Sequence, residues 1–595
     1  MTSGLGGPEL VDLSGRYGVV NQAWGGSQAV LCFENGDAGS VLEKREIVAS
    51  AVWGSQLWSA TGSWDDPGQN LSTTVTAKNL STGAAGETFD AGCVPRELQA
   101  VGRWVYWQCE DSWPNYRGGG VFDRQAKRSL KVGTDKALLG DGYLVRQSGT
   151  TGLTLVDLHG GLQAGATEAD LPQRVIVTAA ELGDRTVPRA GWTVDRFGGH
   201  IAYAGADRRV RIVPSGVPAS RIAVIDAETS SALDIKAGKT WTSRWWLSKP
   251  AASWKLTLKN KASGSTVRTL SGGEVRGLLS ASWDGKDAAR RYVPNGTYTW
   301  TLTAKPADGA GADLSVSGTV PVTGGAAVWR DMAGDDGFGD LLATDSAGAV
   351  WLYRGTGTGG VNSRTAGTAG AFAAGSVIVP VGDVDGDRCA DVLVRLGNEL
   401  RAYRPGCGKV VGASSPYTVI GQGWGQYDQL TSPGDLNGDG HTDLIGRQTT
   451  TGDIYFYAGT ADHRLKTRVR IQANWKLYKW ITGAGDLNGD GRGDLLGQDS
   501  AGVLWRYYGT AAGSVTRREK VGGGWNGYSA LVGTGDLSGD GRTTCWPATP
   551  PGGCGGTRPR KTARTAAGCW SARAAGTRSR ACTDPSAERR GRPPS

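Results

Sequence analysis

Apolar and polar residues alternate along many short stretches of this chain. In residues 254–259, Trp and Leu alternate with Lys and Thr, and residues 297–303 alternate in the same way around Tyr298, Trp300 and Leu302. Strict alternation with a period of two is typical of a β-strand that buries one face. Helical periodicity is rare and glycine accounts for 95 of the 595 residues, so the pattern predicts an all-β protein with many turns.

The alternating stretches between residues 326 and 543 recur about every fifty residues, as in DSAGAVWLYRG at 345–355 and DSAGVLWRYYG at 499–509. A regular period of this length signals a repeat architecture. A unit of about fifty residues with several short strands predicts one blade of a β-propeller. Each unit also carries an aromatic residue eleven positions before an acidic loop, namely Phe372, Trp424, Trp475 and Trp525.

Three nine-residue acidic loops stand at corresponding positions of these units: DVDGDRCAD, DLNGDGHTD and DLNGDGRGD. Each has oxygen-bearing side chains at positions 1, 3, 5 and 9, a spacing that wraps oxygen ligands around a hard cation. Crowded carboxylates repel one another unless a cation is bound, so we predict structural Ca²⁺ sites. The predicted ligands are Asp383, Asp385, Asp387 and Asp391 in the first loop, Asp435, Asn437, Asp439 and Asp443 in the second, and Asp486, Asn488, Asp490 and Asp494 in the third.

The same loops also fit a simpler hypothesis, because Asp-Gly and Asn-Gly pairs are ordinary turn residues. Three copies at one spacing favour metal sites over plain turns. The first loop is the weakest of the three, since Arg388 stands where Gly440 and Gly491 permit a sharp turn. Two further copies are degenerate: Asp331 begins a loop with one extra residue, and the copy at Asp536 breaks off.

Residues 326–543 resemble the VCBS/FG-GAP repeat family in the acidic loop, the aromatic residue before it and the strand pair after it. The resemblance implies blades of a calcium-loop β-propeller. We expect Ca²⁺ to be a structural ion there, and we expect no catalytic residues in this region.

The middle of the chain, residues 223–322, has longer alternating strands and no acidic loop, which predicts a β-sandwich. The segment SWDGKDAARRYVPNGTYTWTL at 282–302 resembles the Ig-like module of the flagellar hook-capping (FlgD-type) family. The resemblance implies a spacer or packing domain that brings no chemistry of its own.

Residues 1–220 show a looser repetition of strand pairs at intervals of about forty to fifty residues. This spacing predicts β-propeller-like blades without metal loops. Five such units are few for ring closure. No basic start or apolar core of a signal peptide follows Met1, so export would imply an incomplete N-terminus or an unusual route.

The net charge of +9 is concentrated in the last segment of the chain, residues 544–595. That segment carries ten Lys or Arg and two acidic residues, a net +8, so the other 543 residues carry about +1. It also holds four of the nine cysteines and begins where the next repeat should continue. We interpret it as a frameshifted reading of a further blade; the alternative is a basic tail that binds polyanions.

Two pairs of cysteines bracket predicted hairpins, Cys93 with Cys109 and Cys389 with Cys407. These separations suit cross-hairpin disulfides, which form in oxidising compartments. Buried thiols are the alternative.

Sequence signatures of familiar enzymes are absent, since the four histidines form no H-E-x-x-H pair and no G-x-S-x-G occurs. We expect a secreted or cell-surface, non-enzymatic binding or adhesion protein. Its partner would be an extracellular protein or a carbohydrate, not a nucleic acid, and no run approaches the roughly eighteen apolar residues of a membrane span. The alternative is a propeller enzyme acting on extracellular polysaccharide. Most of the 23 tryptophans should pack in cores, as we expect for Trp300, Trp351 and Trp505, although exposed ones could stack on sugars.

Overall fold

The computed structural model is nearly all β, as the sequence predicts. It describes residues 8–22, 26–33, 39–61, 73–109, 118–133, 137–148, 150–183, 188–334, 336–362, 364–462, 464–539 and 542–548. Within these ranges the helical segments are single turns: α1 is Ala179–Leu182, and 3₁₀ turns lie at Glu168–Asp170, Trp424–Gln426, Trp475–Leu477 and Trp525–Gly527. No helix in the described part is long and apolar enough to cross a membrane.

The N-terminal part forms five antiparallel sheets in which each strand pairs with the next one along the chain. The first two sheets are β1–β4 (Glu9–Ser14, Tyr17–Gln22, Ser27–Cys32, Ser40–Glu46) and β5–β8 (Ser50–Trp53, Gln56–Ala60, Thr74–Asn79, Ala85–Asp90). The third and fourth are β9–β12 (Pro95–Val101, Trp104–Cys109, Gly119–Asp123, Arg128–Val132) and β13–β16 (Ala137–Gly140, Tyr143–Ser148, Gly152–Asp157, Gln173–Val177). The fifth is β17–β19 (Trp192–Val194, His200–Ala204, Val210–Pro214).

The first strands of these five sheets lie side by side in chain order, as in a propeller. The fifth sheet reaches back to the first two through Arg196. Its Nη1 donates to Asp12 Oδ1 (2.8 Å) and its Nη2 donates to the Val52 carbonyl (2.9 Å). The ring of Phe197 stacks on Trp53, with centroids 5.2 Å apart.

The middle part is a sandwich of two sheets ordered β20-β22-β25 and β21-β27-β26-β23-β24. Its strands are β20 Val224–Thr229, β21 Leu233–Asp234, β22 Trp241–Leu247, β23 Ala251–Asn260, β24 Thr266–Gly272, β25 Leu278–Trp283, β26 Gly296–Pro306 and β27 Leu314–Thr323. The alternating residues Tyr298, Trp300 and Leu302 are buried, as the period of two predicts. Trp300 packs against Trp241 and Trp245 in the core between the sheets.

The C-terminal part forms five further antiparallel sheets, again with sequential strands. The first three are β28–β30 (Leu341–Thr344, Val350–Tyr353, Thr365–Ala366), β31–β34 (Val377–Pro380, Val392–Leu396, Glu399–Tyr403, Tyr417–Gln422) and β35–β38 (Tyr427–Gly434, Asp443–Gln448, Ile454–Tyr457, Val469–Gln472). The fourth is β39–β42 (Tyr478–Gly485, Asp494–Asp499, Leu504–Tyr507, Glu519–Gly522), and the fifth is β43–β44 (Ala530–Gly535, Thr544–Ala548).

These five C-terminal sheets close into a ring. The N–H of Gly493, just before the fourth sheet's second strand, donates to the Asp435 carbonyl of the third sheet (2.6 Å). The N–H of Gly339, just before β28, donates to the Asp536 carbonyl of the fifth sheet (2.8 Å). The fifth sheet is therefore joined to the first by the equivalent of the backbone hydrogen bond that joins the third sheet to the fourth. Residues 544–548, the start of the basic segment 544–595, form β44 and pair with β43; the rest of that segment lies outside the described residues.

The aromatic residue before each acidic loop joins neighbouring sheets. Its backbone N–H donates to a hairpin turn of the preceding sheet: Phe372 to Gly348 between β28 and β29, Trp424 to Asn398 between β32 and β33, Trp475 to Gly452 between β36 and β37, and Trp525 to Gly502 between β40 and β41. The rings of Trp424 and Trp475 are buried. The repeated aromatic residues are therefore packing elements between blades.

Both expected disulfides are present. Cys93–Cys109 ties the segment before β9 to the end of β10, and Cys389–Cys407 ties the two ends of the β32–β33 hairpin. The other two cysteines of the described part, Cys32 and Cys545, are buried.

Candidate metal sites

The acidic loops connect the first and second strands of their sheets on one face of the ring. The second loop follows Gly434 at the end of β35 and ends at Asp443, where β36 begins. The third loop follows Gly485 in the same way. Gly485 has a positive φ of +69°, and a Cβ there would lie 2.7 Å from the ring of Trp329. The glycine is therefore required by both conformation and space.

The second loop is held by its own carboxylates. Asp435 Oδ1 accepts the N–H of Gly438 (2.7 Å), and its Oδ2 accepts the N–H of Gly440 (2.6 Å). Asn437 Nδ2 donates to Asp439 Oδ2 (3.0 Å). Asp443 closes the loop: its Oδ2 accepts the N–H of residue 436 and its Oδ1 that of residue 459, both at 2.8 Å.

The third loop repeats this arrangement bond for bond. Asp486 accepts from Gly489 (2.6 Å) and Gly491 (2.7 Å), Asn488 Nδ2 donates to Asp490 Oδ2 (3.2 Å), and Asp494 accepts from residues 487 and 509. The two sequences differ only in the residues at positions 7 and 8. Of these residues, Arg492 at position 7 of the third loop lies 3.5 Å from Asp490 Oδ2. The predicted ligands are thus brought together in the same way in both loops.

The first loop keeps the conformation despite its arginine. Arg388 adopts a φ of +72°, close to the +85° of Gly440 and the +82° of Gly491. Its N–H donates to Asp383 Oδ2 (2.8 Å), as the glycines do in the other loops. Carboxylate oxygens of Asp383, Asp385 and Asp391 lie within 4.8 Å of one another, the one such acidic cluster within the described residues. The loop that the sequence marked as weakest is therefore the most compact.

The aspartate at position 9 is buried in all three loops. Asp391 and Asp443 are 1% exposed and Asp494 is 0% exposed. Burial, together with the like charges of the neighbouring loop carboxylates, raises the pKa of each to about 7. A cation bound in the loop would lower the pKa of these aspartates and so favour their charged forms. The donor set consists of oxygen atoms only, which suits a hard ion such as Ca²⁺ and not a thiolate- or imidazole-bound metal.

Sequence reasoning underrated the degenerate copy at Asp331. Its carboxylate accepts the N–H groups of Gly334 (2.6 Å) and Gly337 (2.9 Å), and Asp340 Oδ1 accepts from Gly355 (2.9 Å) just as Asp443 accepts from residue 459. Burial and the neighbouring carboxylates raise the pKa of Asp331 to about 8. The signal was present in the sequence, because Asp340 precedes an apolar pair as Asp443 and Asp494 do.

Comparison with protein families matches two segments of the chain. Residues 435–497 match the FG-GAP-like repeat, and residues 230–308 match the FlgD Ig-like domain. The chain carries an FG-GAP-like repeat behind a FlgD Ig-like domain. The second and third acidic loops both lie inside the FG-GAP-like match, and the sandwich strands β21–β26 lie inside the FlgD Ig-like match. No curated protein matches the chain.

Solved structures resemble the chain only remotely. The Neurospora crassa Pan2 WD40 domain is 13% identical with a TM-score of 0.23, over 35% of this chain and 63% of that one. The extracellular domain of a hybrid two component system from B. thetaiotaomicron is 9% identical with a TM-score of 0.21, over 52% of this chain and 43% of that one. The chain therefore spans less than two thirds of each.

Two of the tryptophans that we expected in cores, Trp351 and Trp505, are only partly buried, and Trp505 packs against the hydrophobic core of its blade. Each donates its indole N–H to an aspartate of the preceding turn, Asp345 (3.2 Å) and Asp499 (2.9 Å) respectively. An arginine guanidinium covers one face of each ring. Val350 and Leu352 on either side of Trp351 are buried, and so is Leu504 beside Trp505, because successive side chains of a strand point to opposite faces.

Proposed function

We propose that this protein is a secreted or cell-surface, non-enzymatic binding or adhesion protein whose C-terminal propeller is stabilised by structural Ca²⁺. The observation that carries the proposal is the buried aspartate at position 9 of each loop, which faces two or three other loop carboxylates. The cationic side chains near the loops each reach a single carboxylate at 3.5 to 3.9 Å, namely Arg404 to Asp385, Lys466 to Asp439 and Arg492 to Asp490. Such an arrangement is stable at neutral pH when a cation is bound.

Two features support an extracellular setting. The FG-GAP-like repeat and the FlgD Ig-like domain stand together in one nearly all-β chain. The Cys93–Cys109 and Cys389–Cys407 disulfides form and persist in oxidising compartments. Free calcium outside cells is in the range at which extracellular modules bind it, roughly 0.1 to 1 mM.

The alternative, a polysaccharide-cleaving enzyme, has less support. A hollow at the axis of the C-terminal ring is lined by Trp329 and by Asp383, Asp435 and Asp486. Each of these three carboxylates accepts backbone N–H groups of its own loop on both oxygens. Oxygens that hold a loop in this way are poorly placed for general acid–base work on a substrate.

Calcium titration of the full chain tests the proposal. We expect calorimetry to show about three equivalents of Ca²⁺ bound in the 0.1 to 1 mM range, with no release of reducing or unsaturated sugars from extracellular polysaccharides. Absence of calcium binding would contradict the structural role, and sugar release would contradict the non-enzymatic assignment.

A further inference from the structure

Two neighbouring blades present an arginine in the same pose at their outer edge. Arg468 stands before β38 and Arg518 before β42, fifty residues later. The Cζ of Arg468 lies 4.3 Å from the ring centroid of Tyr455, and the Cζ of Arg518 lies 4.2 Å from that of Trp505. Both side chains belong to exposed residues. We call Arg468 and Arg518 together the stacked-arginine patch.

A buried tyrosine pair fixes each guanidinium from the side. Arg468 Nη1 donates to the hydroxyl of Tyr427 (2.7 Å), and Arg518 Nη1 donates to the hydroxyl of Tyr478 (3.3 Å). These two hydroxyls are themselves hydrogen-bonded to the hydroxyls of Tyr457 and Tyr507. An exposed arginine ordinarily samples many rotamers, so stacking and hydrogen bonding together remove most of the entropy that a ligand would have to freeze.

Neither guanidinium forms an ion pair within 4.0 Å in the described part of the chain; Asp499, which accepts the indole N–H of Trp505, interacts with Arg518 only through the field of its charge. The hydrogen bonds found there run from Nη1 to tyrosine hydroxyls and, for Arg468, to Gln426 Oε1 (2.9 Å). The other edge of the fork, Nε and Nη2, is left to bind a ligand. Arg447, in the same blade as Arg468, binds a carboxylate through this edge. Its Nε and Nη2 donate to the two oxygens of Asp428 at 2.8 and 2.9 Å. Carboxylate, sulfate and phosphate groups share this geometry.

The surroundings of the patch are basic. Residues 464–470 carry Arg464, Lys466 and Arg470 besides Arg468, and residues 516–520 carry Arg517 and Lys520 besides Arg518. The nearby acidic groups are mostly paired, Asp453 with Arg470 (3.3 Å) and Glu519 with Arg506 (2.8 Å). The excess of positive charge is local, because residues 1–543 carry about +1 in total.

We propose that the stacked-arginine patch binds the oxyanion groups of an acidic polysaccharide, one carrying carboxylates or sulfates. Two equivalent forks on adjacent blades suit a polymer that offers several oxyanions in one chain, since the second contact is then intramolecular. A nucleic acid fits less well, because the guanidiniums already cover the aromatic faces on which bases would stack. The inference rests on the proposed binding function and not on the calcium sites.

Charge-preserving variants of the full chain test whether the stacked-arginine patch binds an acidic polysaccharide. We expect the wild-type protein to bind immobilised dextran sulfate and polygalacturonate, but not uncharged dextran, at an ionic strength of about 0.15 M. Arg468→Lys with Arg518→Lys keeps the charge but loses the fork, so the affinity should fall about tenfold or more. The matched control Arg464→Lys with Arg470→Lys, whose guanidiniums are engaged by Asp462 and Asp453, should change it less than about twofold.

Chemical modification of individual arginines reports binding at the stacked-arginine patch separately from any binding by residues 544–595. Dextran sulfate should protect Arg468 and Arg518 from phenylglyoxal modification, read by mass spectrometry, while Arg464 stays reactive. The proposal would be overturned if both double variants lost the same affinity, or if dextran sulfate gave no protection. It would also be overturned if oligothymidylate bound as tightly and lost as much affinity in the Arg468/Arg518 variant, or if inorganic sulfate at the same concentration of sulfate groups competed fully. Calcium stabilisation measured on the same samples is independent of these outcomes, so failure here and failure of the proposed function are distinguishable.

Discussion

At the scale of single residues, the three buried aspartates at position 9 decide how the C-terminal ring responds to pH. Burial and like charges raise the pKa of Asp391, Asp443 and Asp494 to about 7 in the folded chain, from about 4 when unfolded. A raised folded pKa means that the stabilising contribution is fully present below the unfolded value and is lost as the pH rises through about 7. Bound calcium reverses the direction of this pH dependence, because its carboxylate ligands must be deprotonated.

We therefore expect opposite pH dependence with and without calcium. In excess chelator, the melting temperature of the transition that includes the C-terminal ring should fall between pH 5 and pH 8. In excess calcium, it should hold or rise over the same range. Asp443→Asn should weaken both trends, since it removes one titrating ligand. Scanning calorimetry at several pH values checks this, and parallel curves in the two buffers would contradict the metal assignment.

At the scale of elements, each blade is locked to its neighbour by an aromatic residue placed before the acidic loop. Trp475 is 4% exposed and donates its backbone N–H to Gly452 (2.8 Å). Its ring lies 4.5 Å from that of Tyr507 and 5.1 Å from that of Tyr478. The side chain thus fills the space between the third and fourth C-terminal sheets.

Trp475→Ala should cost about 3 to 5 kcal/mol, the usual range for a large buried aromatic residue. Trp505→Ala is the matched control, because that ring is half-buried and covered by Arg518, and it should cost roughly half as much or less. Denaturant unfolding of the two variants measures the difference. Equal losses would show that Trp475 has no special role between the sheets.

The two disulfides act on hairpins, and they should stabilise by restricting the unfolded chain. Cys93–Cys109 and Cys389–Cys407 span 16 and 18 residues, for which about 3 kcal/mol each is expected. We expect Cys93→Ala with Cys109→Ala to lower stability by about that amount. A non-reduced digest should yield both cross-linked peptide pairs, and alkylatable thiols at all four positions would remove this support for secretion.

At the scale of the whole molecule, Arg388 links the sandwich to the ring. Its Nη1 donates to the carbonyl of Gly324 in the linker, and Asn295 Nδ2 donates to the Gly334 carbonyl (2.7 Å) in the degenerate loop that begins at Asp331. Arg388→Gly keeps the positive φ but loses the linker contact. We expect this variant to retain its calcium response and to be cut faster by protease between residues 322 and 328 than the wild type.

Calcium should hold only the C-terminal part of the molecule together. At ten times the dissociation constant one site adds about 1.4 kcal/mol, so three sites add about 4 kcal/mol. This is comparable with the roughly 5 to 15 kcal/mol by which a domain is stable at all. Chelation should lower the melting transition of residues 326–543 and leave that of residues 1–322 largely unchanged. Asp439→Ala or Asp490→Ala should each remove about a third of the response, and identical melting curves in calcium and chelator would return the loops to ordinary turns.

The sequence by itself determined the all-β class, the fifty-residue period, the cysteine pairs and the identity of the acidic loop residues. These features depend on residues that are close together in the sequence. Alternation of apolar and polar residues follows from the strand pleat, and the loop ligands lie within nine residues of one another. Only the tertiary structure decided that Gly339 meets Asp536 to close the ring and that Arg388 takes the conformation of a glycine. Those outcomes depend on contacts between residues far apart in the chain, which no local spacing encodes. The stacked arginines show the same limit, because Arg468 and Tyr427 are 41 residues apart and belong to one site only after the blade has folded.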